Sequence, residues 1–341
     1  MIVAIDCGTT NSRVYVVDGK GTVLGRGSRK VGVRDTSITG SRAVLQAGLR
    51  EAFDEALTNA GLGVRNVRCI LSNGMITSEI GLKELPHLEA PVSIDSLAAH
   101  IEEVGDLGVF PTGIPVYFVR GIKNHLAGKA AVGLSDVGYL DFMRGEETQI
   151  AGILQQRLLK PPFTVAVLSS HTKYISVGAD GSIMGSVTTL SGQLFEAIIA
   201  STSIGKSIQP VAGQVDPGLL DRRVIDSAFD WTGKAGLLRS MLMPRFMDVL
   251  MKTDWYERKL FVESCIAAED IKALDQFGPL GLIKDTPYVL IGKRQRCELY
   301  QDLLKRKASI SCEITSMFDD ERIESLSIHG LLMLAAKKNI I

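Results

Sequence analysis

Asp6, Gly8, Thr9, Thr10, Asn11 and Ser12 bring a carboxylate, a glycine and several small hydroxyl or amide side chains into one short stretch. Such a set suits a polyphosphate. Glycine lets the backbone come close, consecutive turn N–H groups can form a nest for an anion, and the hydroxyls add donors. Asp6 ends the apolar run of residues 2–5 and is placed to face a Mg²⁺ ion through waters, because that ion keeps much of its hydration. The same residues also fit an ordinary glycine turn closed by an Asx-type hydrogen bond, and turn chemistry alone does not separate the two.

Other polar stretches stand at the ends of apolar runs. Ser72 to Glu79 follows the expected strand 67–71, a place where ligands gather in open α/β sheets. Ser169-Ser170-His171-Thr172-Lys173 follows the expected strand 164–168. Arg120-Gly121-Ile122-Lys123-Asn124 follows the strand 115–119. Arg144-Gly145-Glu146-Glu147-Thr148-Gln149 leads into a helix at 150–154. Acids at such a helix start are favoured by the macrodipole whatever else they do. Ile204-Gly205-Lys206-Ser207 resembles the end of a P-loop, but the required first glycine is Ala200 and a helix precedes it, so it reads as a helix terminus. Gly19, Gly21 and Gly25 have GxGxxxG spacing and a strand after them, which makes them hairpin glycines rather than a dinucleotide fingerprint.

These stretches need strands and helices to hold them. The runs at 2–5, 14–17 and 23–24 predict a meander. Val44, Leu45, Leu49, Ala52, Phe53, Ala56 and Leu57 recur at helical spacing within 39–60, and Gly61 stops that helix. A loop is expected at 86–91 and a helix at 94–104. After Pro161-Pro162 the pattern starts again, with strands at 164–168, 174–177 and 183–187. Strand, hydroxyl-rich turn, strand, glycine turn, strand thus occurs twice, which predicts two similar α/β halves. The expected domains are 1–155, with residues 326–341 packing back on it, and 156–325. A strand at 288–291 and helices at 297–304 and 326–337 complete the reading.

The chain has 341 residues and 45% apolar content, enough for two folded domains. Its 38 basic residues equal its 38 acidic ones, so it lacks the charge footprint of a general nucleic-acid binder. Cys7, Cys69, Cys265, Cys297 and Cys312 are scattered and unpaired in spacing, which predicts a reducing, cytoplasmic setting and neither a disulfide framework nor structural zinc. No stretch reaches membrane-spanning length and no leader-like segment opens the sequence, so no membrane partner is expected.

Asp6-x-Gly8-Thr9-Thr10-Asn11-Ser12-Arg13 resembles the first phosphate motif of the sugar kinase/actin/chaperone superfamily. More narrowly, Phe142 to Gln149 resembles the signature of the 2-dehydro-3-deoxygalactonokinases. So do Ser170 to Lys173, the stretch Thr189 to Phe195, Leu290-Ile291-Gly292 and His329-Gly330-Leu331. The stretches at Ser72–Ser78 and Ser169–Thr172 depart from the common family pattern, the first of them where substrate choice is expected to be set.

The resemblance implies two ribonuclease-H-like α/β domains of the sugar kinase/actin type with an interdomain cleft, and ATP with Mg²⁺ as cofactors. It implies that Asp6 orients the metal and that Gly8, Thr9, Thr10 and Asn11 face the β- and γ-phosphates. Ser170, His171, Thr172 and Lys173 would supply the facing hairpin, and Gly292 would approach the base or ribose. Glu146 is the expected base for a primary alcohol, with Glu147 second. A sugar-acid carboxylate calls for arginine, and Arg13, Arg120 and Arg144 are the candidates. Asn73, with Ser72, Thr77 and Ser78, is a candidate for sugar hydroxyls, although helix capping before Glu79 explains the same residues. The activity implied is ATP-dependent phosphorylation of the 6-hydroxyl of 2-dehydro-3-deoxy-D-galactonate. Alternatives are a kinase for another sugar acid, such as 2-dehydro-3-deoxygluconate, or an actin-like nucleotide-driven binding module. A homodimer stays open.

Overall fold

The computed structural model describes residues 1–126, 132–210 and 213–341. Two compact units result. The first is Met1–Pro162 with Val177–Ser186 and Asp320–Ile341, and the second is Phe163–Ser176 with Val187–Asp319.

The first unit opens with three strands, β1 (Ile2–Cys7), β2 (Ser12–Val17) and β3 (Val23–Arg29), followed by α1 (Val33–Thr39) and α2 (Ala43–Asn59). Strand β4 (Cys69–Gly74), the short β5 (Leu88–Glu89), α3 (Ile94–Ala99), β6 (Glu102–Val104), β7 (Val116–Phe118), β8 (Ile122–Lys123), β9 (Phe142–Met143) and α4 (Glu146–Gln155) follow. The main sheet has the order β3-β2-β1-β4-β7-β6. Strands β1 to β3 are antiparallel, and β1, β4 and β7 run parallel. Parallel strands buried on both faces need continuous apolar runs. Val3, Ile5 and Cys7 meet Val14, Val16, Leu45, Leu49 and Phe53 in one core. Helix α2 lies close over β3, where a Cβ on Gly25 or Gly27 would strike the carbonyls of Ala56 and Ala52.

The second unit repeats the scheme. It is built from β10 (Phe163–Leu168), β11 (Thr172–Val177), β12 (Ile183–Thr189), helices α5 (Ser191–Ser201) to α9, β13 (Tyr288–Gly292), α10 (Arg294–Arg306) and β14 (Ile314–Met317), although the end of β11 and the start of β12 are grouped with the first unit. Between α5 and α9 (Trp255–Asp270) come α6 (Gly205–Ile208), α7 (Arg222–Ala235) and α8 (Leu237–Val249). Its sheet order, β12-β11-β10-β13-β14, matches β3-β2-β1-β4-β7 position by position, with β10, β13 and β14 parallel. The last helix, α11 (Asp320–Lys337), belongs to the first unit and packs on α4, β1 and β4. The two α/β units therefore have the architecture expected of the sugar kinase/actin type.

Some expectations are corrected. The helix expected over 39–60 begins only at Ala43, because Gly40 takes the left-handed conformation (φ 67°) that ends the separate helix α1. Val44 is exposed rather than in the core. The expected helix 94–104 stops at Ala99, and Glu102–Val104 instead pairs with β7 as an edge strand. The strand read at 67–71 lies two to three residues later, and β14 was not foreseen.

Candidate active site

Strand register sets the first unit's site. Asp6 on β1 is the antiparallel partner of Arg13 on β2 and the parallel partner of Asn73 on β4. Three of the expected residues thus stand in one row across the sheet, toward the carboxyl ends of β1 and β4. Arg13 Nη1 lies 3.4 Å from Asp6 Oδ2. Asp6 keeps 34% of its side-chain surface accessible, and the rest is packed against protein. That burial pushes its carboxyl above the ordinary carboxylate range. Arg13 pulls it back, while Glu146 and Glu324 push it further up.

Asn73 ties β4 to α4. Its Nδ2 donates to Thr148 Oγ1 at 2.7 Å and to the Gly145 carbonyl at 3.3 Å. Gly145 can precede the helix only because it takes φ 115°, where a side chain would be strained. Its N–H donates to both carboxylate oxygens of Glu147 at 2.8 Å, so the fully buried Glu147 caps α4. Glu146 is the first residue of α4 and acts electrostatically on Asp6. The fold thus gathers Asp6, Arg13, Asn73 and Glu146, and gives the two adjacent glutamates different surroundings.

A cavity of about 240 Å³ adjoins Asp6 and Arg13 and is also lined by Tyr15, Gln149, Glu324 and Ser327. Asn73 Oδ1 and Gln149 Oε1 are buried acceptors with no partner among the described residues. The lining carries the carboxylates of Asp6 and Glu324, acceptors that ask for donors, and the waters of a hydrated Mg²⁺ ion are donors. The residues therefore fit a metal held through water beside Asp6, the form Mg²⁺ commonly takes. Sequence reasoning missed Gln149 and Glu324. Gln149 lies in the family stretch but was given no role, and Glu324 is remote in sequence.

The expected arginines separate by their partners. Arg120 pairs with Glu102 at 2.6 Å, and Glu102 also holds Lys83 at 3.2 Å. Arg13 pairs with Asp6. Arg144 donates to Thr77 Oγ1 at 2.6 Å and to the Leu85 carbonyl at 2.9 Å. No carboxylate lies within ion-pair distance of Arg144 among the described residues, and burial lowers its pKa.

The first phosphate turn, residues 8–11, is closed by Gly8 N–H donating to the Asn11 carbonyl at 2.8 Å. Thr10 and Asn11 are exposed and Gly8 and Thr9 half-exposed. In the second unit only Ser169, Ser170 and His171 form the turn. Thr172 and Lys173 are buried in β11, and the Thr172 hydroxyl is engaged with Ser191 at 2.6 Å. Gly292 ends β13, where a Cβ would come within 2.7 Å of the Leu168 carbonyl, so close strand packing alone already demands glycine there.

In the same unit, Lys259 holds Asp216 at 2.7 Å and Glu263 at 3.4 Å. Burial raises the Glu263 carboxyl above its ordinary pKa, with Lys259 opposing. An acid whose folded pKa is raised contributes most stability below its unfolded pKa and loses it as pH rises through the folded value. Glu263→Gln is therefore expected to melt at or above the parent temperature near pH 7.5, the gap closing toward pH 4. Thermal melts across that range check this, and a variant that melts lower at pH 7.5 would refute it.

The same architecture is found in the crystal structure of a Sinorhizobium meliloti protein named as a 2-dehydro-3-deoxygalactonokinase. The TM-score is 0.70 at 20% identity, over 98% of each chain. A Rhizobium meliloti (strain 1021) protein with that name is 26% identical over 205 residues, 60% of this chain and 58% of its own length. The Escherichia coli (strain K12) 2-dehydro-3-deoxygalactonokinase is 26% identical over 215 residues, 63% of this chain and 62% of its own. The matched region thus spans about three-fifths of each relative. The family model of the 2-keto-3-deoxy-galactonokinases matches residues 6–330, and the chain belongs to that family.

Proposed function

We propose that the chain is an ATP- and Mg²⁺-dependent carbohydrate kinase that phosphorylates the 6-hydroxyl of 2-dehydro-3-deoxy-D-galactonate, a step of galactonate catabolism in the cytoplasm. The observation that carries this reading, beside family membership, is the Asp6–Arg13–Asn73 row with Glu146 at the start of α4. Bound MgATP would supply the phosphoryl group and the charge that neutralises it. Asp6 would hold the metal through water, with Asn73 Oδ1 and Gln149 Oε1 as further acceptors. The turn of Gly8, Thr9, Thr10 and Asn11 would direct N–H and hydroxyl donors at phosphate, as would Ser169, Ser170 and His171. Glu146 would accept the proton of the sugar's primary alcohol. Arg144, held only by neutral acceptors among the described residues, suits the substrate carboxylate better than Arg13 or Arg120, whose charges are already paired.

The test is ADP release from MgATP with 2-dehydro-3-deoxygalactonate, its gluconate epimer and a small panel of sugars. Release that requires the galactonate compound is expected. Release with the epimer alone would move the substrate. Release without any acceptor would overturn the kinase reading in favour of a nucleotide-driven binding module.

A further inference from the structure

The carbonyls of the turn at Ser169–His171 are all engaged, two by residues outside the turn and one by the turn's own Ser169 hydroxyl. The Ser169 carbonyl accepts Arg296 Nη1 at 2.7 Å, the Ser170 carbonyl accepts the Gln193 N–H at 2.8 Å, and the His171 carbonyl accepts Ser169 Oγ at 3.1 Å. A planar trans peptide points its C=O and the next N–H in opposite directions. The N–H of Ser170 therefore points away from Arg296, and that of His171 away from the Gln193 N–H. Gly192 contributes by lacking a side chain, since a Cβ there would strike the Ser169 carbonyl.

Arg296 reaches this turn from a distant part of the sequence. It lies in the first turn of α10, an end that the macrodipole makes unfavourable for a cation. What holds it is a fork of contacts. Nη1 takes the Ser169 carbonyl before the turn, while Nη2 takes Thr172 Oγ1 at 2.9 Å and Ser191 Oγ at 2.7 Å after it. The guanidinium also lies over the Tyr300 ring, 5.5 Å from its centroid. All three acceptors are neutral, and no carboxylate lies within ion-pair distance of Arg296 among the described residues. The acid that shares its small cavity, Glu263, is turned to Lys259 at 3.4 Å.

We propose that Arg296 is a positioning residue for the second phosphate turn: it clamps both ends of Ser169–Thr172, keeps the carbonyls away from the nucleotide and places a positive charge beneath the phosphate. This rests on the kinase reading above. Lysine could keep the charge but could not span three acceptors at fixed angles.

Steady-state kinetics on Arg296→Met, Arg296→Lys and Ser191→Ala test it. Arg296→Met is expected to raise KM for ATP about tenfold or more, with KM for the sugar acid unchanged within about threefold. Arg296→Lys should fall between the parent and Arg296→Met, and Ser191→Ala should raise the ATP KM alone by about two- to fivefold. Equal changes in both KM values would show a general structural role and overturn the proposal, as would an ATP KM within twofold of the parent in Arg296→Met. If Arg296→Met does not fold, the other two variants decide by the same criterion. A parent protein that binds no ATP would instead refute the kinase reading itself.

Discussion

Glu146→Gln is expected to lose about 10²–10⁴-fold in turnover while its affinity for ATP stays close to the parent's. Three observations meet in this prediction. Glu146 is the first residue of α4, its charge acts on Asp6, and Asn73 pins that helix start to the strand carrying the row. Glutamine keeps the shape and removes the proton acceptor. Glu147→Gln should behave differently. Glu147 is fully buried and takes the Gly145 N–H on both oxygens, so the change should weaken the helix cap and lower Tm, with turnover falling less than in Glu146→Gln. Turnover, nucleotide titration and melting curves on both variants separate the roles. A nearly normal Glu146→Gln beside an inactive but stable Glu147→Gln would reverse the assignment.

Gly330→Ala is expected to destabilise the protein by about 2 kcal/mol or more, lowering Tm by about 3–5 °C or more. The sign is unusual, because alanine in a helix interior is ordinarily better than glycine by about 1 kcal/mol. Here α4 and α11 meet backbone to backbone. A Cβ on Gly330 would enter the Thr148 carbonyl, and one on Gly152 would enter the Leu326 carbonyl. Neither obstacle is a flexible side chain, so a helix must move. Gly152→Ala should act in the same direction. Because Thr148 also receives Asn73, the shift should reach the row at Asp6, and residual activity should fall together with stability. Thermal melts check this, and a Gly330→Ala protein as stable as its parent would refute the close-packing account.

The sequence was most readable where chemistry and periodicity coincide. The turn after β1, the hairpin after β10 and the repeated strand pattern follow from alternation, glycine and small hydroxyls. The helix from 43 to 59 was visible through Leu45, Leu49, Ala52, Phe53, Ala56 and Leu57, although Val44 at its edge faces solvent. Partnerships between distant residues were not readable. Arg13, Arg120 and Arg144 look alike in sequence. Only the fold shows that Glu102 occupies the second and that neutral acceptors hold the third. In sequence Thr172 and Lys173 read as part of the turn, but β11 begins at Thr172 and draws both inward. Glu324 and Arg296 carry no local signal, because Glu324 acts on Asp6 in β1 and Arg296 on the turn after β10, both far away in the chain.

The placement of α11 has a consequence for synthesis. It lies in the first unit against α4, β1 and β4, yet it emerges only after the whole second unit has been made. A nascent chain ordinarily completes its leading domain first. Here the leading sheet must wait on the ribosome with the surface meant for α11 uncovered, while the trailing unit can close ahead of it. The α11 side of the row at Asp6 would therefore be covered only once the second unit has been synthesised.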